Sequence, residues 1–253
     1  MIHKTFDVDG SPDIEVRFES GRIDVRRGSA NKVDVQVDTS SSGFIVEQRG
    51  NSIMVSSDKT TSWLSRGSAY VEIEAPEGSD LTVAVASAQV EVDVPLGKVD
   101  IKTASGDIEI ERVESLTAKT ASGDTRVEVV ERSLRYTSAS GDLFVEKAIG
   151  GSVTASTASG DIEIEDCGAT VDIATASGDT RLSRFTGHSA NLKAMSGTIE
   201  IGIPRRTEVS LDVRLLSGKL RIPDPEKSVE PAERQVSITA KLVSGDLRIN
   251  RAD

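Results

Sequence analysis

The chain has 253 residues, a net charge of −11 and a pI near 4.8. This acidity argues against nucleic acid as a partner, because phosphate binding needs a basic surface. Aromatic residues make up only 3% of the chain, which suits a narrow core of Ile, Val, Leu and Ala. No stretch approaches the roughly 18 apolar residues of a membrane-spanning helix, and no amphipathic helical pattern occurs. The composition therefore favours a chain built from strands.

Residues 1–9 contain no apolar run. They predict neither a secretory signal nor a membrane anchor, and we expect a cytoplasmic location. A Ser20-Gly21 pair follows, and the apolar residues around it alternate with polar ones as in a strand with one buried face. These apolar residues are Ile14, Val16, Phe18, Ile23 and Val25. The pattern indicates the first coil of a repeat that continues later in the chain.

Between residues 26 and 80 the repeat lapses. Short alternating strands are joined there by turn residues, including Arg49-Gly50-Asn51. This predicts an antiparallel, hairpin-rich section that covers the first end of the repeat. Trp63 lies in a polar loop at residues 58–68. We favour a tryptophan ring folded over the end of the core, with a contact residue as the alternative.

The centre of the chain repeats one phrase, Thr-Ala-Ser-Gly-Asp, followed by a short apolar and charged alternation. Its glycines are Gly106, Gly123, Gly141, Gly160 and Gly178, which lie 17, 18, 19 and 18 residues apart. A fixed period this short is typical of stacked repeats. About 18 residues at roughly 3.3 Å each give a coil about 60 Å in perimeter. We therefore predict an all-β fold, a single-stranded β-solenoid, and right-handed because parallel crossovers are.

The apolar positions change parity at each glycine. They lie five and seven residues before it and two and four residues after it, so the chain must turn a corner there if both sets face one core. Glycine suits this corner because it can adopt positive φ. For the coil at Gly160 the predicted core residues are Val153, Ala155, Ile162 and Ile164. A further apolar column follows seven residues after the glycine: Val113, Val130, Ala148, Cys167 and Phe185.

The same register continues towards the C-terminus. Ser-Gly pairs recur at Gly197, Gly218 and Gly245. Residues 223–235 are rich in proline and charge, and they predict a surface excursion from the solenoid. Residues 236–249 then predict the final coil.

We divide the chain at residue 80. Residues 1–80 are expected to form the first coil and its antiparallel cap, and residues 81–253 the solenoid repeats. Prolines and charges near the last coil are the usual means of blocking strand addition. We therefore expect a monomer or small oligomer, with end-to-end self-association as the alternative. Removing residues 223–253 is expected to expose the coil at Leu220 and Ile222 and to promote association.

Charged residues form outward columns. Three residues after the glycine, the alternating charges predict a ladder of cross-strand ion pairs. The series is Glu109, Arg126, Phe144, Glu163, Arg181, Glu200 and Arg221. Exposed pairs stabilise by only some tenths of a kcal/mol each, but they oppose shifts in register. Four residues before the glycine lies a partly basic column: Lys102, Lys119, Lys193, Arg214 and Lys241. Five residues after it lies an acidic one: Glu111, Glu128, Glu146 and Glu165.

The aspartates of the repeated phrase form a column of like charges: Asp107, Asp124, Asp142, Asp161 and Asp179. A structural role accounts for them, since an Asp side chain can accept a backbone N–H at a turn. A line of carboxylates that binds Ca²⁺ is the alternative. Calcium needs six to eight oxygen ligands, and the phrase lacks the nonapeptide of calcium-binding β-rolls. We therefore favour the corner role.

Candidate catalytic residues are few. His3 and His188 are the only histidines, and neither belongs to a Ser/His/Asp or metal-binding pattern. Cys167 falls in a core column, where a small buried hydrophobe is expected rather than a reactive thiol. The glycines lie between strands and lead into no helix, so they make no phosphate-binding loop. We assign no catalytic, cofactor-binding or metal-binding residues and expect no cofactor.

The repeated Thr-Ala-Ser-Gly-Asp-Ile-Glu-Ile unit resembles the bacterial putative-adhesin family of β-strand-repeat proteins, a domain of unknown function. The segments Phe6-Asp7-Val8 and Ser20-Gly21-Arg22-Ile23 share this resemblance, which covers nearly the whole chain. The coil length is also similar to that of the bactofilins, cytoplasmic β-helical proteins that polymerise end to end. The resemblance implies a β-solenoid without a catalytic signature.

We therefore expect a non-enzymatic binding or scaffold module with a protein partner. Two alternatives stay open. One is a self-assembling filament subunit of the cytoskeletal type. The other is a carbohydrate-active enzyme, because parallel β-helices often carry polysaccharide lyases and hydrolases, although this rests on analogy between folds alone.

Overall fold

The computed structural model describes residues 1–39, 43–57, 68–223 and 232–252, and every regular element among them is a β-strand. The chain divides into two compact units, Met1–Arg126 and Val127–Asp253. The predicted division at residue 80 falls within the first unit and stays a prediction. The strands of the first unit are β1 (Ile2–Asp7), β2 (Asp13–Arg27), β3 (Lys32–Thr39), β4 (Phe44–Arg49), β5 (Ser52–Ser57), β6 (Ser68–Ala75), β7 (Asp80–Asp93), β8 (Leu96–Lys102) and β9 (Ile108–Lys119).

The second unit contains the remaining strands, the first of which begins two residues before the boundary. They are β10 (Thr125–Ser140), β11 (Leu143–Ala148), β12 (Ser152–Ser159), β13 (Ile162–Cys167), β14 (Thr170–Ser177), β15 (Thr180–Phe185), β16 (Ser189–Ser196), β17 (Ile199–Pro204), β18 (Thr207–Ser217), β19 (Leu220–Arg221), β20 (Arg234–Ser244) and β21 (Leu247–Ala252).

Parallel strands stack coil upon coil in the second unit. β12 pairs in parallel with β10 and β14, and β14 pairs in parallel with β16. On the next side of the coil, β13 pairs in parallel with β11 and β15. Equivalent residues of successive repeats face each other, as Val153 faces Val171. The predicted all-β solenoid is therefore confirmed.

The predicted core columns are buried. Val153, Ala155, Ile162 and Ile164 are at most 1% exposed, and so are all five residues of the column that contains Cys167. The first residue of the repeated phrase also faces inward, and Thr103 satisfies its hydroxyl by donating to the carbonyl of Ser105 at 2.7 Å. The change of parity at the glycine therefore does mark a corner with one core on its inner side.

Positive φ and the close approach of the neighbouring coil each favour glycine at the corners. Gly106 and Gly123 have φ values of 119° and 112°, as predicted for the corner. The φ of Gly160 lies outside that range, so the predicted reason is wrong for this residue. A Cβ on Gly160 would instead overlap the carbonyl oxygen of Gly141 and lie 2.9 Å from its carbonyl carbon. Close approach of neighbouring coils therefore requires the glycine at position 160.

We expect Gly160→Ala to lower the free energy of unfolding by about 2 kcal/mol or more, because neither backbone can move without disturbing the corner. The matched control is Gly150→Ala, since a methyl group on Gly150 would have no other atom within 4 Å and the residue has no positive φ. That substitution is expected to be neutral or slightly stabilising. Urea unfolding of both variants measures the difference. Equal midpoints would contradict the close approach.

The first unit carries the antiparallel section that the sequence predicts. β4 pairs antiparallel with β5, β3 with β6, and β1 with β3. β1 and β4 are joined by two hydrogen bonds, from Lys4 Nζ to the carbonyl of Val46 and from Gln48 Nε2 to the carbonyl of Asp7, both 2.7 Å long. Val46 is 2% exposed. These three strands therefore cover the apolar end of the coil formed by β5 and β6.

The first coil of the chain is not the first coil of the stack. β2 pairs in parallel with β5 and β6 on one side and with β7 on the other. Residues 52–75 therefore form a coil of their own, outside β2, although the sequence suggested only antiparallel hairpins there. Trp63 lies outside the described residues.

The order of coils also differs from the chain order at the end of the second unit. β20 pairs in parallel with both β16 and β18, and β21 with both β17 and β19. The coil that comes last in the chain therefore lies between two earlier ones. The prediction that residues 236–249 form the final coil of the stack is wrong, because the coil of β18 and β19 lies beyond them. Of the predicted excursion at 223–235, residues 224–231 lie outside the described part.

Candidate docking surface

Three neighbouring strands, β16, β20 and β18, present two exposed columns side by side on the outer face of the second unit. One column is basic and contains Lys193, Lys241 and Arg214 in register. The other is apolar, two residues further along each strand, and contains Met195, Val243 and Leu216. Residues two apart on a strand share a face, so the six side chains form one patch. We call these six residues the docking surface.

The apolar column departs from the rest of the repeat. In the repeated phrase this position is occupied by alanine, as at Ala139 and Ala158. On the last three coils it is occupied by Met195, Val243 and Leu216, which are 62%, 50% and 82% exposed. The inward neighbours on each strand already fill the core, so these large side chains contribute little to burial. Large apolar groups that remain in water at adjacent positions are typical of an interaction site.

The basic column is not neutralised by ion pairs among the described residues. Neighbouring coils lie about 4.8 Å apart, so three like charges in register repel each other. Within the described ranges, the side chains of Lys193, Lys241 and Arg214 make no hydrogen bond or ion pair. Residues 189–253 contain 11 Lys and Arg against 9 Asp and Glu, a net +2, which leaves −13 for residues 1–188 of the total of −11. The docking surface therefore lies in a net cationic stretch of an acidic chain.

A shallow groove runs beside these columns. It has a volume of about 440 Å³ and is lined by residues of β18 and β20, among them Val213, Leu215 and Leu242. Leu216 and Val243 stand at its rim as part of the docking surface. The groove therefore gives the exposed apolar column a recess into which a partner side chain can pack.

The predicted ion-pair ladder is present over three coils. Arg181 lies between Glu163 and Glu200, with guanidinium–carboxylate distances of 3.8 and 3.4 Å. The predicted next step to Arg221 is wrong. Arg248 of the inserted coil faces Glu200, and Arg221 faces Arg248. The insertion of β21 thus adds another pair of like charges to this end of the unit.

The aspartate column is structural, although in a different way from the one expected. Asp142 accepts the backbone N–H of Asp161 at 2.8 Å, and Asp161 accepts that of Asp179 at 2.7 Å. Asp179 accepts the N–H of Thr198 at 2.7 Å. Each carboxylate therefore binds the equivalent residue of the next coil rather than its own corner. These charge-assisted bonds offset the repulsion between stacked carboxylates.

We expect Asp161→Ala to lower the free energy of unfolding by about 1 kcal/mol, because the N–H of Asp179 loses a charged acceptor. Asp161→Asn is the matched control, since its amide oxygen can accept the same bond with less repulsion from Asp142. That variant is expected to remain within about 0.5 kcal/mol of the wild type. Urea unfolding decides between them. A loss for Asn as large as that for Ala would contradict a role in hydrogen bonding.

Metal binding by the aspartate column gives a separate test. Among the described residues, no group of three or more His, Cys, Asp or Glu side chains is placed to hold a metal ion. We expect millimolar Ca²⁺ and EDTA to leave the melting temperature unchanged, because a ligand stabilises only if it binds the folded state selectively. A rise of several degrees with saturable calorimetric binding would overturn the structural role.

The first unit contains one buried charged network. Asp24 is 3% exposed and accepts hydrogen bonds from Arg22 Nε at 2.6 Å and from Tyr70 Oη at 2.7 Å. The side-chain hydrogen bond to Asp24 raises the pKa of Arg22 and that of Tyr70. Arg22 also bonds Glu91. Each side chain of this network is hydrogen-bonded to another member, so none of them is a free acid or base. The network links β2, β6 and β7.

The remaining candidates have separate structural roles. Cys167 is fully buried, and burial raises the pKa of its thiol to about 11, so it is a core residue as predicted. His188 is exposed and contributes its backbone carbonyl to the N–H of Ser237. His3 bonds Asp34 at 2.8 Å in the other unit. The structure therefore brings no catalytic set together from the residues that the sequence singled out.

Part of the docking surface was visible in the sequence. Lys193, Arg214 and Lys241 belong to the predicted basic column. The apolar column was missed, although the replacement of the repeated alanine by Met195, Val243 and Leu216 was a signal that could have revealed it. What could not be seen is that Lys241 and Val243 lie between the other two members of their columns.

Similar solved structures include proteins described as a putative adhesin from Bacteroides fragilis (16% identity, TM-score 0.44, covering 98% of this chain and 96% of that one) and a putative adhesin from Parabacteroides distasonis (13%, 0.48, 98% and 96%). Another, also from Parabacteroides distasonis, is described as a putative lipid binding protein (14%, 0.44, 97% and 96%).

No curated protein matches the chain. In the described ranges, no helix is both long and apolar enough to cross a membrane. The match that decides the classification is to the family described as Toastrack DUF4097, whose model covers residues 12–253. With its glycine-cornered parallel coils and a match over nearly its whole length, the chain belongs to the Toastrack DUF4097 family, a domain of unknown function.

Proposed function

We propose that this chain is a non-enzymatic binding and scaffold module, and that its partner is a protein that docks on the docking surface. The observation that carries the proposal is the pairing of an uncompensated basic column with an exposed apolar column on the same three coils. Neither column stabilises the coil that holds it. Like charges in register oppose the stacking, and large apolar side chains in water gain nothing from their position.

The chemistry of the surface specifies the partner. Three cations in a row are best matched by acidic side chains, and Met195, Val243 and Leu216 are best matched by apolar ones that displace water. The groove beside Leu216 supplies a place for an anchoring side chain. The partner is therefore a protein segment that combines acidic and apolar residues. Because the charges are exposed, binding is expected to weaken as salt is raised.

A charge-reversal pair tests the proposal. Lys193→Glu with Lys241→Glu reverses the docking surface, while Lys102→Glu with Lys119→Glu reverses two exposed lysines that face each other at the same repeat position in the first unit. Each protein is used to capture partners from the cells it comes from, and captured proteins are purified for direct binding measurements. Melting temperatures of the two variants confirm that both are folded.

The expected result is a purified acidic partner whose affinity falls by about tenfold or more, equal to about 1.4 kcal/mol, for the first variant and is unchanged for the second. An affinity that falls equally for both variants would show that binding depends on the overall charge of the chain and not on the docking surface, which would contradict the proposal. A partner that binds the reversed surface as well as the wild type would place the binding site elsewhere and overturn the proposal.

The alternatives have less support. A filament subunit needs two open ends, whereas β1, β3 and β4 cover the terminal coil of the first unit. A carbohydrate-active enzyme needs converging acid and base groups, and the described residues bring none together. The cytoplasmic location and the protein partner stay predictions.

A further inference from the structure

The last coil of the second unit has an open side. Among the described residues, β18 pairs with β20 alone. Its inward residues Val209, Leu211, Val213 and Leu215 are half-buried. The residues that face them on β20, such as Ile238 and Ala240, are fully buried. Among the described residues, the core therefore ends at β18, whose apolar row is partly in water and whose second row of backbone groups has no strand partner.

The first unit shows what a covered coil looks like in this protein. There β4 and β3 pair with β5 and β6, and the inward residues Val35 and Val37 of β3 are completely buried. Three strands are used to cover that coil. An edge of 11 residues without such a cover is a template for another strand.

We infer that β18 of a second copy of this chain covers the open edge, antiparallel to the first and related to it by a two-fold axis at Leu211. In this register Leu211 faces its own copy, and Val209 faces Val213 of the second copy. The apolar rows of both copies lie on the same side of the joined sheet, because the facing residue numbers always differ by an even number. Each copy thus completes the core of the other.

Charge selects this register. Glu208 of each copy faces Arg214 of the other, which makes two opposite-charge pairs, and Asp212 faces Ser210, which can donate to it. Glu208 already accepts a hydrogen bond from Gln235 at 2.9 Å, which orients it without using its full capacity as an acceptor. Arg214 makes no ion pair among the described residues, so the dimer contact uses this one cation and leaves Lys193 and Lys241 of the docking surface to the partner proposed above.

Neighbouring registers are less favourable. A centre at Asp212 would place that carboxylate against its own copy, and a centre at Ser210 would place Glu208 against Asp212. A centre at Val213 would pair Asp212 with Arg214, but it would leave Glu208 opposite Gly218 and Ser210 opposite Leu216. Only the centre at Leu211 gives every charged outward residue of the strand a polar or oppositely charged neighbour.

The two-fold contact also limits the size of the assembly. An isologous contact uses the open edge of both copies, so it is closed and leads to a dimer rather than a filament. The two docking surfaces then lie on one side of the joined sheet. The dimer is expected of the purified chain alone, so it does not depend on the partner proposed above.

Sedimentation of the purified chain tests the dimer. At tens of micromolar the wild type is expected at twice 26.9 kDa. Glu208→Lys and Arg214→Glu are each expected to be monomeric, because each places like charges opposite one another twice. An equimolar mixture of the two variants is expected to restore a dimer, since each copy then faces an opposite charge. Glu165→Lys, an exposed reversal on β13, is the control and is expected to leave the dimer intact.

Three outcomes would overturn the inference: a wild type that sediments as a monomer at every concentration, a mixture of variants that fails to associate although each melts like the wild type, and the formation of long fibres. Dissociation by Asp212→Lys with an intact dimer in Glu208→Lys would assign the centre to Val213 and overturn the register. A variant that loses partner binding but keeps the dimer would separate this inference from the proposed function. A variant that loses the dimer but keeps partner binding would separate them equally well.

Discussion

Deleting residues 223–253 is expected to unfold the end of the second unit rather than to expose a folded strand edge that promotes association. β20 and β21 lie between two other coils, so their removal takes away the strands that pair with β18 and β19 in the described part of the chain. Four inward residues of β20 and two of β21 are at most 4% exposed. At about 1.5–3 kcal/mol for each buried aliphatic side chain, the loss is comparable with the whole stability of a typical domain.

Hydrogen exchange of the truncated chain measures the effect. Residues 207–222 are expected to lose their protection, whereas β12 to β15 are expected to keep theirs, because a repeat contacts only its neighbours. The matched control removes residues 205–253, which takes away both terminal coils as a unit and is expected to leave a cooperatively melting chain. Persistent protection of residues 207–222 in the first truncation would show that β18 does not depend on β20.

Ile164→Asp is expected to cost about 4 kcal/mol or more. Ile164 is fully buried and lies in register with Val145 and Leu182 of the neighbouring coils. A carboxylate at this position has no cation within the core, and an unpaired charge that loses its water is among the most destabilising changes known. Thermal and urea unfolding are expected to show either a large loss of stability or an unfolded chain.

The control is another isoleucine-to-aspartate change. Ile149 is 50% exposed, so Ile149→Asp adds the same charge where water can solvate it, and its effect is expected to stay within about 1 kcal/mol. Equal losses at the two positions would show that the added charge itself, rather than its burial, destabilises the acidic chain. Wild-type stability of Ile164→Asp would reverse the assignment of inner and outer faces.

The inner and outer faces of each coil were predictable from local sequence. A strand alternates faces with a period of two whatever lies beside it, so the change of parity at Gly160 was enough to place Ile162 and Ile164 inside. The turn at Arg49-Gly50-Asn51 between β4 and β5 was predictable for the same reason, since turn residues act on their own backbone. These features need no knowledge of the neighbouring coil.

The spatial order of the coils was not predictable in this way. Residues 236–249 present the same alternation as every other coil, and they fit equally well beside β17 or beyond β19. One signal existed, because Gly218 and Gly245 are 27 residues apart, whereas the earlier repeats are 17 to 19 apart. The longer spacing is compatible with a coil out of chain order, since β20 lies between β16 and β18.

The sequence alone thus determined the repeat, its corners, its buried columns and the basic character of one outward column. Only the tertiary structure decided that Lys241 lies between Lys193 and Arg214, that Arg248 replaces Arg221 beside Glu200, and that β18 is the open edge. The reason is physical. Period and parity are properties of a single strand, whereas the neighbour of a parallel strand is chosen by packing among coils whose backbones and core faces are nearly equivalent.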